Sequence, residues 1–125
     1  MEKKFLQLND IQAYKISFEL SNYVWNVVIC WKFFEKDTVG KQFARSIDSI
    51  SANIAEGFGR YTKKDKIHFY RIAYGSLTES SDWNKKSYQR KLCTKEQYDY
   101  IHQRLETLPR EIHQLIKFTN EKLTI

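Results

Sequence analysis

Residues 45–60 read RSIDSISANIAEGFGR, and three readings of them compete: a catalytic loop, a phosphate cradle, or the end of a helix. Phe43, Ile47, Ile50 and Ile54 recur at spacings of four, three and four, which predicts a helix with one face in a core. Gln42, Ser46, Ser49, Asn53 and Glu56 form an adjacent polar stripe at the same spacings. Gly57 and Gly59 then fall where a helix commonly ends on a left-handed residue without Cβ strain. Arg60 follows at the negative end of the helix dipole, where a cation is favoured. A phosphate cradle needs amides at a helix N-terminus, whereas these glycines lie at a C-terminus, which presents carbonyls. The stretch is therefore the end of a helix. Its polar stripe is read as a solvated face or an interface that organises the bundle or its assembly, in preference to a chemical site.

Working outward, three further segments carry a helical period. The first is predicted over 10–35, with Ala13, Ser17, Leu20, Val24, Val27, Trp31 and Phe34 as its seam, Tyr14, Phe18 and Trp25 beside it, and Asn9 or Asp10 as its cap. The second is the segment above, over 38–57. The third, over 63–91, opens with Thr62 and Asp65 in capping-box spacing and carries a weak seam of Phe69, Ala73, Ser76, Ser80 and Trp83. The fourth, over 94–122, opens with Thr94 and Gln97. It has the cleanest row: Tyr98, Ile101, Leu105, Leu108, Ile112 and Leu115. Pro109 inside it predicts a kink or break near 106–109. Short connections near 36–38, 58–62 and 92–93 favour antiparallel neighbours. The expected fold is all-α: one domain over 1–125, an up-down-up-down antiparallel four-helix bundle.

Composition agrees. A chain of 125 residues fits one domain; 42% hydrophobic and 15% aromatic residues suffice for one core, and only 4 Gly and 1 Pro argue for long helices. The formal charge is +6, yet residues 60–95 alone hold ten Lys/Arg against three acids, a net +7. Such a cluster attracts polyanions, or else is a solvated face. The ten are Arg60, Lys63, Lys64, Lys66, Arg71, Lys85, Lys86, Arg90, Lys91 and Lys95, and Tyr61, Tyr70 and Tyr88 are interleaved with them. Cations neutralise phosphates and rings stack on bases, so these ten are the candidate nucleic-acid-binding residues. No apolar run suits a signal peptide or a membrane span, and the two cysteines form no CxxC pair; a cytoplasmic setting is expected.

Chemical constellations are scarce. His68, His102 and His113 are isolated in sequence, and neither HExxH, GxSxG nor a zinc-spaced Cys/His set occurs. His102 and Glu106 at i, i+4 read as a surface pair. Cys30, among Val27, Val28, Ile29 and Trp31, is expected to be buried and inert. Cys93, flanked by Arg90, Lys91 and Lys95, is expected in an exposed basic loop. Glu56 and Glu79 are expected to enter buried or half-buried pairs with Arg45, Arg60 or Arg71. No catalytic residue, cofactor or metal is expected.

The segment Gly40–Trp83, GKQFARSIDSISANIAEGFGRYTKKDKIHFYRIAYGSLTESSDW, resembles the central signature of the 23S ribosomal RNA intervening-sequence family. Arg45, Ser49, Asn53, Glu56, Gly57, Gly59 and Glu79 fall on its recurring positions, and the flanks AYKISFELSNYVW and LPREIHQLIKFTNEKL also agree. Phe34–Glu35 departs from the Phe-Pro of many members. The resemblance implies a four-helix bundle assembled as a homopentamer with a central channel. A related branch, the accessory protein of diversity-generating retroelements, implies binding to nucleic acid and to a reverse transcriptase. The expectation is a non-enzymatic homo-oligomer that binds RNA or DNA; the alternative is a scaffold recruiting a partner protein.

Overall fold

The structure is a computed structural model that describes residues 6–124. A single 3-10 turn, Leu8–Asp10, opens it and is closed by the Gln7 amide donating to Asp10 Oδ2 at 2.8 Å. That use of the Asp10 carboxylate leaves the cap of the first helix to Ile11, in extended backbone, rather than to Asn9 or Asp10. Helix α1 is Gln12–Val28 and buries Ala13, Ser17, Leu20, Val24 and Val27, the predicted seam.

The chain leaves α1 seven residues before the predicted end. Trp31 N–H donates to the Val28 carbonyl at 3.0 Å, Lys32 is extended, and a new helical turn starts at Phe33. This turn passes through a wide π-type turn, Lys36–Gly40, directly into α2, Lys41–Phe58. The first connection is thus 29–32 and not 36–38. A Cβ on Gly40 would lie 2.7 Å from Val28 Cγ1 and 3.4 Å from the Trp31 ring, so the missing side chain lets the start of the second helix press on the end of the first. Phe34, predicted in the α1 seam, is 73% exposed.

In α2, Phe43, Ile47, Ile50 and Ile54 are fully buried, as their period predicts. In the stripe beside them Ser46 and Ser49 face the next helix of the same chain, while Gln42 and Glu56 bond Arg45 and Arg60 at the surface. Ser80 Oγ donates to Ser46 Oγ at 3.1 Å and Ser76 Oγ to Ser49 Oγ at 3.0 Å. Asn53 Nδ2 donates to the Ser49 carbonyl and hydroxyl, both at 2.8 Å. Small hydroxylic residues let two helix backbones approach while satisfying their own polar atoms.

Gly57 is no left-handed cap. It lies inside α2, and among the described residues no glycine has positive φ. A Cβ there would meet Tyr70 Cε1 at 2.7 Å and the Lys66 carbonyl at 2.9 Å, so Gly57 is the point where the next helix crosses. Gly59, at φ −79°, ψ −9°, ends the helix in right-handed geometry. Lys66 Nζ donates to the Phe58 carbonyl at 2.7 Å, which satisfies one of the terminal carbonyls.

Helix α3, Lys63–Gln89, is capped as predicted by Thr62 Oγ1 accepting from the Asp65 amide at 3.1 Å. Its buried row is Ile67, Tyr70, Ala73, Leu77, Ser80, Asn84 and Ser87, which shares only Ala73 and Ser80 with the predicted seam. The last three are polar, so the far half of the row carries no apolar period. Asn84 Oδ1 and Ser87 Oγ lie buried there without a protein partner among the described residues.

Helix α4, Lys95–Lys122, begins with the predicted capping box: the Gln97 amide donates to Thr94 Oγ1 at 3.1 Å, and the Thr94 amide to Gln97 Oε1 at 3.0 Å. Ile101, Leu105, Leu108, Ile112 and Leu115 are buried as predicted. The helix does not break at Pro109, which leaves the Leu105 carbonyl without its i+4 amide donor. The four helices form the antiparallel bundle. Among the described residues no helix is long and apolar enough to cross a membrane.

Candidate nucleic-acid interface

The ten candidate cations, contiguous in sequence, separate in space. Arg60, Lys63, Lys64 and Lys66 gather at the start of α3, Arg71 follows on its outer side, and Lys85, Lys86, Arg90, Lys91 and Lys95 gather at its end. At 1.5 Å per residue, Lys66 and Lys85 stand about 28 Å apart along the axis.

Many of these cations are already engaged. Arg60 Nε pairs with Glu56 Oε2 at 3.1 Å and its guanidinium lies 4.6 Å from the Phe69 ring centroid. Lys63 Nζ reaches the Leu123 carbonyl at 3.4 Å. Lys66 is half-buried, and desolvation lowers its pKa. Lys86 pairs with Asp82 at 2.7 Å and lies over the Trp83 ring. Lys95 pairs with Asp99 at 2.9 Å, and that hydrogen bond raises its pKa. Lys64, Arg71, Lys85, Arg90 and Lys91 make no ion pair or side-chain hydrogen bond among the described residues. Three of these five crowd the α3–α4 turn.

The turn itself is tight. Leu92 N–H donates back to the Ser87 carbonyl at 2.8 Å, and Lys91 takes the left-handed conformation, φ 63°, that glycine usually supplies there. This closure holds the Lys91 side chain outside the bundle. It also buries Cys93, whose thiol desolvation pushes up to about 11, while Cys30 is exposed where α1 has ended. Both placements reverse the expectation. Cys30 follows the helix rather than lying in it, and Cys93 sits under the turn rather than on it.

Beside the cations stands a column of rings. Tyr88 and Tyr98 stack with centroids 4.6 Å apart, and Tyr98 stacks on His102 at 5.6 Å with an interplanar angle of 9°. Of the interleaved tyrosines, Tyr70 is core, its hydroxyl pKa pushed up to about 12 by burial; Tyr61 is exposed at the opposite end. Tyr98, predicted as core, is half-exposed and central to the column. His102 holds the predicted contact with Glu106, Nε2 to Oε1 at 3.1 Å.

The signature residues divide likewise. Ser49, Asn53 and Gly57 lie in the α2–α3 contact. Arg45 is exposed and donates to Gln42 Oε1 at 2.9 Å; Glu79 accepts from Trp83 Nε1 at 3.1 Å on the surface. Among the described residues every ion pair spans i, i+4 on one exposed helix face. Of the expected buried or half-buried arginine–carboxylate pairs, Arg60–Glu56 forms, with both side chains about half exposed; it lies within one helix end and joins no two helices, whereas Gly57 and the serine contacts do join α2 to α3. No group of three or more His, Cys, Asp or Glu suited to a metal occurs among the described residues.

The model of the 23S rRNA-intervening sequence protein family matches residues 9–114, from the turn before α1 to well past Pro109. The chain belongs to that family. A solved structure of a family S23 ribosomal protein of unknown function from Bacteroides thetaiotaomicron is similar over 84% of this chain and 98% of that one, with TM-score 0.74 and 24% identity. At that identity the likeness shows the shared fold. No curated protein matches the chain. Within the central signature, then, Ser49 and Gly57 shape a helix contact, and three of the five uncommitted cations lie beyond it, toward the α3–α4 turn.

Proposed function

We propose that the chain is a non-enzymatic, homo-oligomeric nucleic-acid-binding accessory protein acting in the cytoplasm, with RNA as its preferred ligand. The observation that carries the reading is the α3–α4 turn: Lys85, Arg90 and Lys91 are uncommitted, Lys85 lines a cavity with His102 at one end of the Tyr88–Tyr98–His102 column, and Arg90 and Lys91 follow directly on the stretch of α3 that holds Tyr88. Cations that give up counterions drive polyanion binding, and rings accept unpaired bases. Self-association is supported by the end of α1, where Trp25 and Phe33 are 55% and 78% exposed around an apolar cavity of about 380 Å³; Phe34, 73% exposed, lines a separate cavity with Arg90 of the basic turn. Five subunits are the number the family resemblance implies, and a ring would repeat each basic turn and add avidity.

The test is binding of nuclease-treated protein to labelled RNA over a salt series. Affinity should fall with salt at a slope of roughly −2 to −3 in log–log form for three phosphates per subunit. No binding at low salt would contradict it. A second reading uses the same exposed phenylalanines to recruit a partner protein, a reverse transcriptase being the kind the resemblance suggests. A stable complex that survives nuclease would favour it.

A further inference from the structure

We propose that the basic turn is one end of a groove running along the α3–α4 seam, and that this groove takes a single strand of nucleic acid, its bases on rings and its phosphates on Lys85, Arg110 and Lys117. The proposal rests on the functional reading above and extends the ligand from Lys85, one of the ten candidate cations, to Arg110 and Lys117, which lie outside them.

Antiparallel packing sets Tyr74 across from Pro109, and Lys85 near His102. Two cavities adjoin there and share Tyr74 and Pro109 as their common wall. The one toward the end of α4, about 380 Å³, is completed by Arg110, His113 and Lys117. The one toward the turn, about 360 Å³, is completed by Lys85, His102 and Glu106. Tyr74 and His113 lie with centroids 5.1 Å apart at 53°; Tyr74 is half-buried against the core and His113 is exposed. Beyond the second cavity the rings continue through His102, Tyr98 and Tyr88 to the turn.

The groove is thus walled by rings at intervals and by cations at both ends. Lys85, Arg110 and Lys117 have no ion-pair partner among the described residues. Glu106, the acid lining the second cavity, is held by His102. From Lys95 to Lys117 the helix rises about 33 Å, enough for roughly five extended nucleotides. Rings that must meet base faces select an unstacked strand over a duplex, whose bases present only edges.

The experiment is fluorescence anisotropy at low salt with labelled oligouridylate, oligothymidylate and a duplex of the same length, on the full chain. The single strands should bind at least tenfold tighter than the duplex, and comparison of the two strands shows whether the sugar matters. Tyr74→Ala with His113→Ala, and separately Arg110→Gln with Lys117→Gln, should each weaken single-strand binding about tenfold. The second pair is exposed, so its folding is secure if the first pair disturbs packing. Variants that bind like the wild type, while changes at Arg90 and Lys91 abolish binding, would overturn the groove and leave the functional reading standing. Duplex binding equal to single-strand binding would also overturn the groove. Failure of the wild type to bind any of the three probes removes the functional reading and the groove with it.

Discussion

The outer face of α1 and the outer face of α3 and α4 are both what remains after a core has taken its residues, and they differ in chemistry. The first exposes Phe18, Trp25 and Ile29, continued by Phe33 and Phe34 where the chain turns into α2. The second exposes tyrosines and histidines with Lys85, Arg90, Lys91, Arg110 and Lys117. Leaving large apolar groups in water forgoes about 25 cal/mol per Å², and leaving cations crowded and unpaired costs self-repulsion. Apart from Tyr74, which packs its ring against the core, neither residue set contributes to it, and the proposed function assigns each a partner from outside. In the proposed reading the apolar face meets protein, and the basic, ring-lined face meets a polyanion with exposed bases.

The largest effect is expected where the second face is reversed. Lys85→Glu, Arg90→Glu and Lys91→Glu together should lower RNA affinity about 100-fold and flatten the salt slope by about 2 to 3, without changing the mass in solution. Salt titration and light scattering on the same samples check both halves. Loss of assembly in this variant would blur the division between the faces.

The reciprocal change is Trp25→Ser, Phe33→Ser and Phe34→Ser. Sedimentation should show the assembly reduced to single chains, with RNA affinity lower by about tenfold through lost avidity alone. A monomer that binds as tightly as the parent would detach binding from assembly.

A control acts on the contact beneath both faces. Gly57→Ala drives a methyl into Tyr70 and the Lys66 backbone and should cost about 2 kcal/mol by denaturant unfolding. Gly75→Ala, where a Cβ meets nothing within 4 Å, should instead stabilise by about 0.5–1 kcal/mol through helix propensity. Equal effects at the two glycines would remove the close-approach argument.

The cysteines sharpen the comparison, one near each face. A thiol reagent should modify exposed Cys30 at once and Cys93 only as the bundle opens. The folded chain holds the Cys93 proton to about pH 11, whereas the ordinary thiol releases it near 9. That contribution is complete below pH 9 and is lost as pH rises toward 11, by about 2–3 kcal/mol. Cys93→Ala should flatten this part of the alkaline stability curve, leaving the fall due to Tyr70 at higher pH.

Much of the fold was legible because it rests on periods and caps. The isoleucines of α2, the row from Ile101 to Leu115, and Thr62 and Thr94 as caps all act within a few residues of themselves. The α1 boundary was hidden because Trp31 and Phe34 continue its period although one is half-buried and the other lies in solvent. The α3 row was misplaced because Ser80, Asn84 and Ser87 are buried without being apolar. Gly57 misled for a different reason: a left-handed cap and a close helix crossing both demand a missing Cβ, and only the position of Tyr70 separates them. The interface was half legible. Charge density marked the turn, but the pairing of Tyr74 with His113 and the column of Tyr88, Tyr98 and His102 depend on the register of two antiparallel helices, which no local spacing reports.

The most direct test of the division between faces is photocrosslinking of the full chain to a bromouridine-substituted single strand, with the adducts mapped by mass spectrometry. The account predicts adducts on Tyr74, Tyr88, Tyr98 or His102 and none on Trp25 or Phe33. Adducts confined to the α1 face would contradict it.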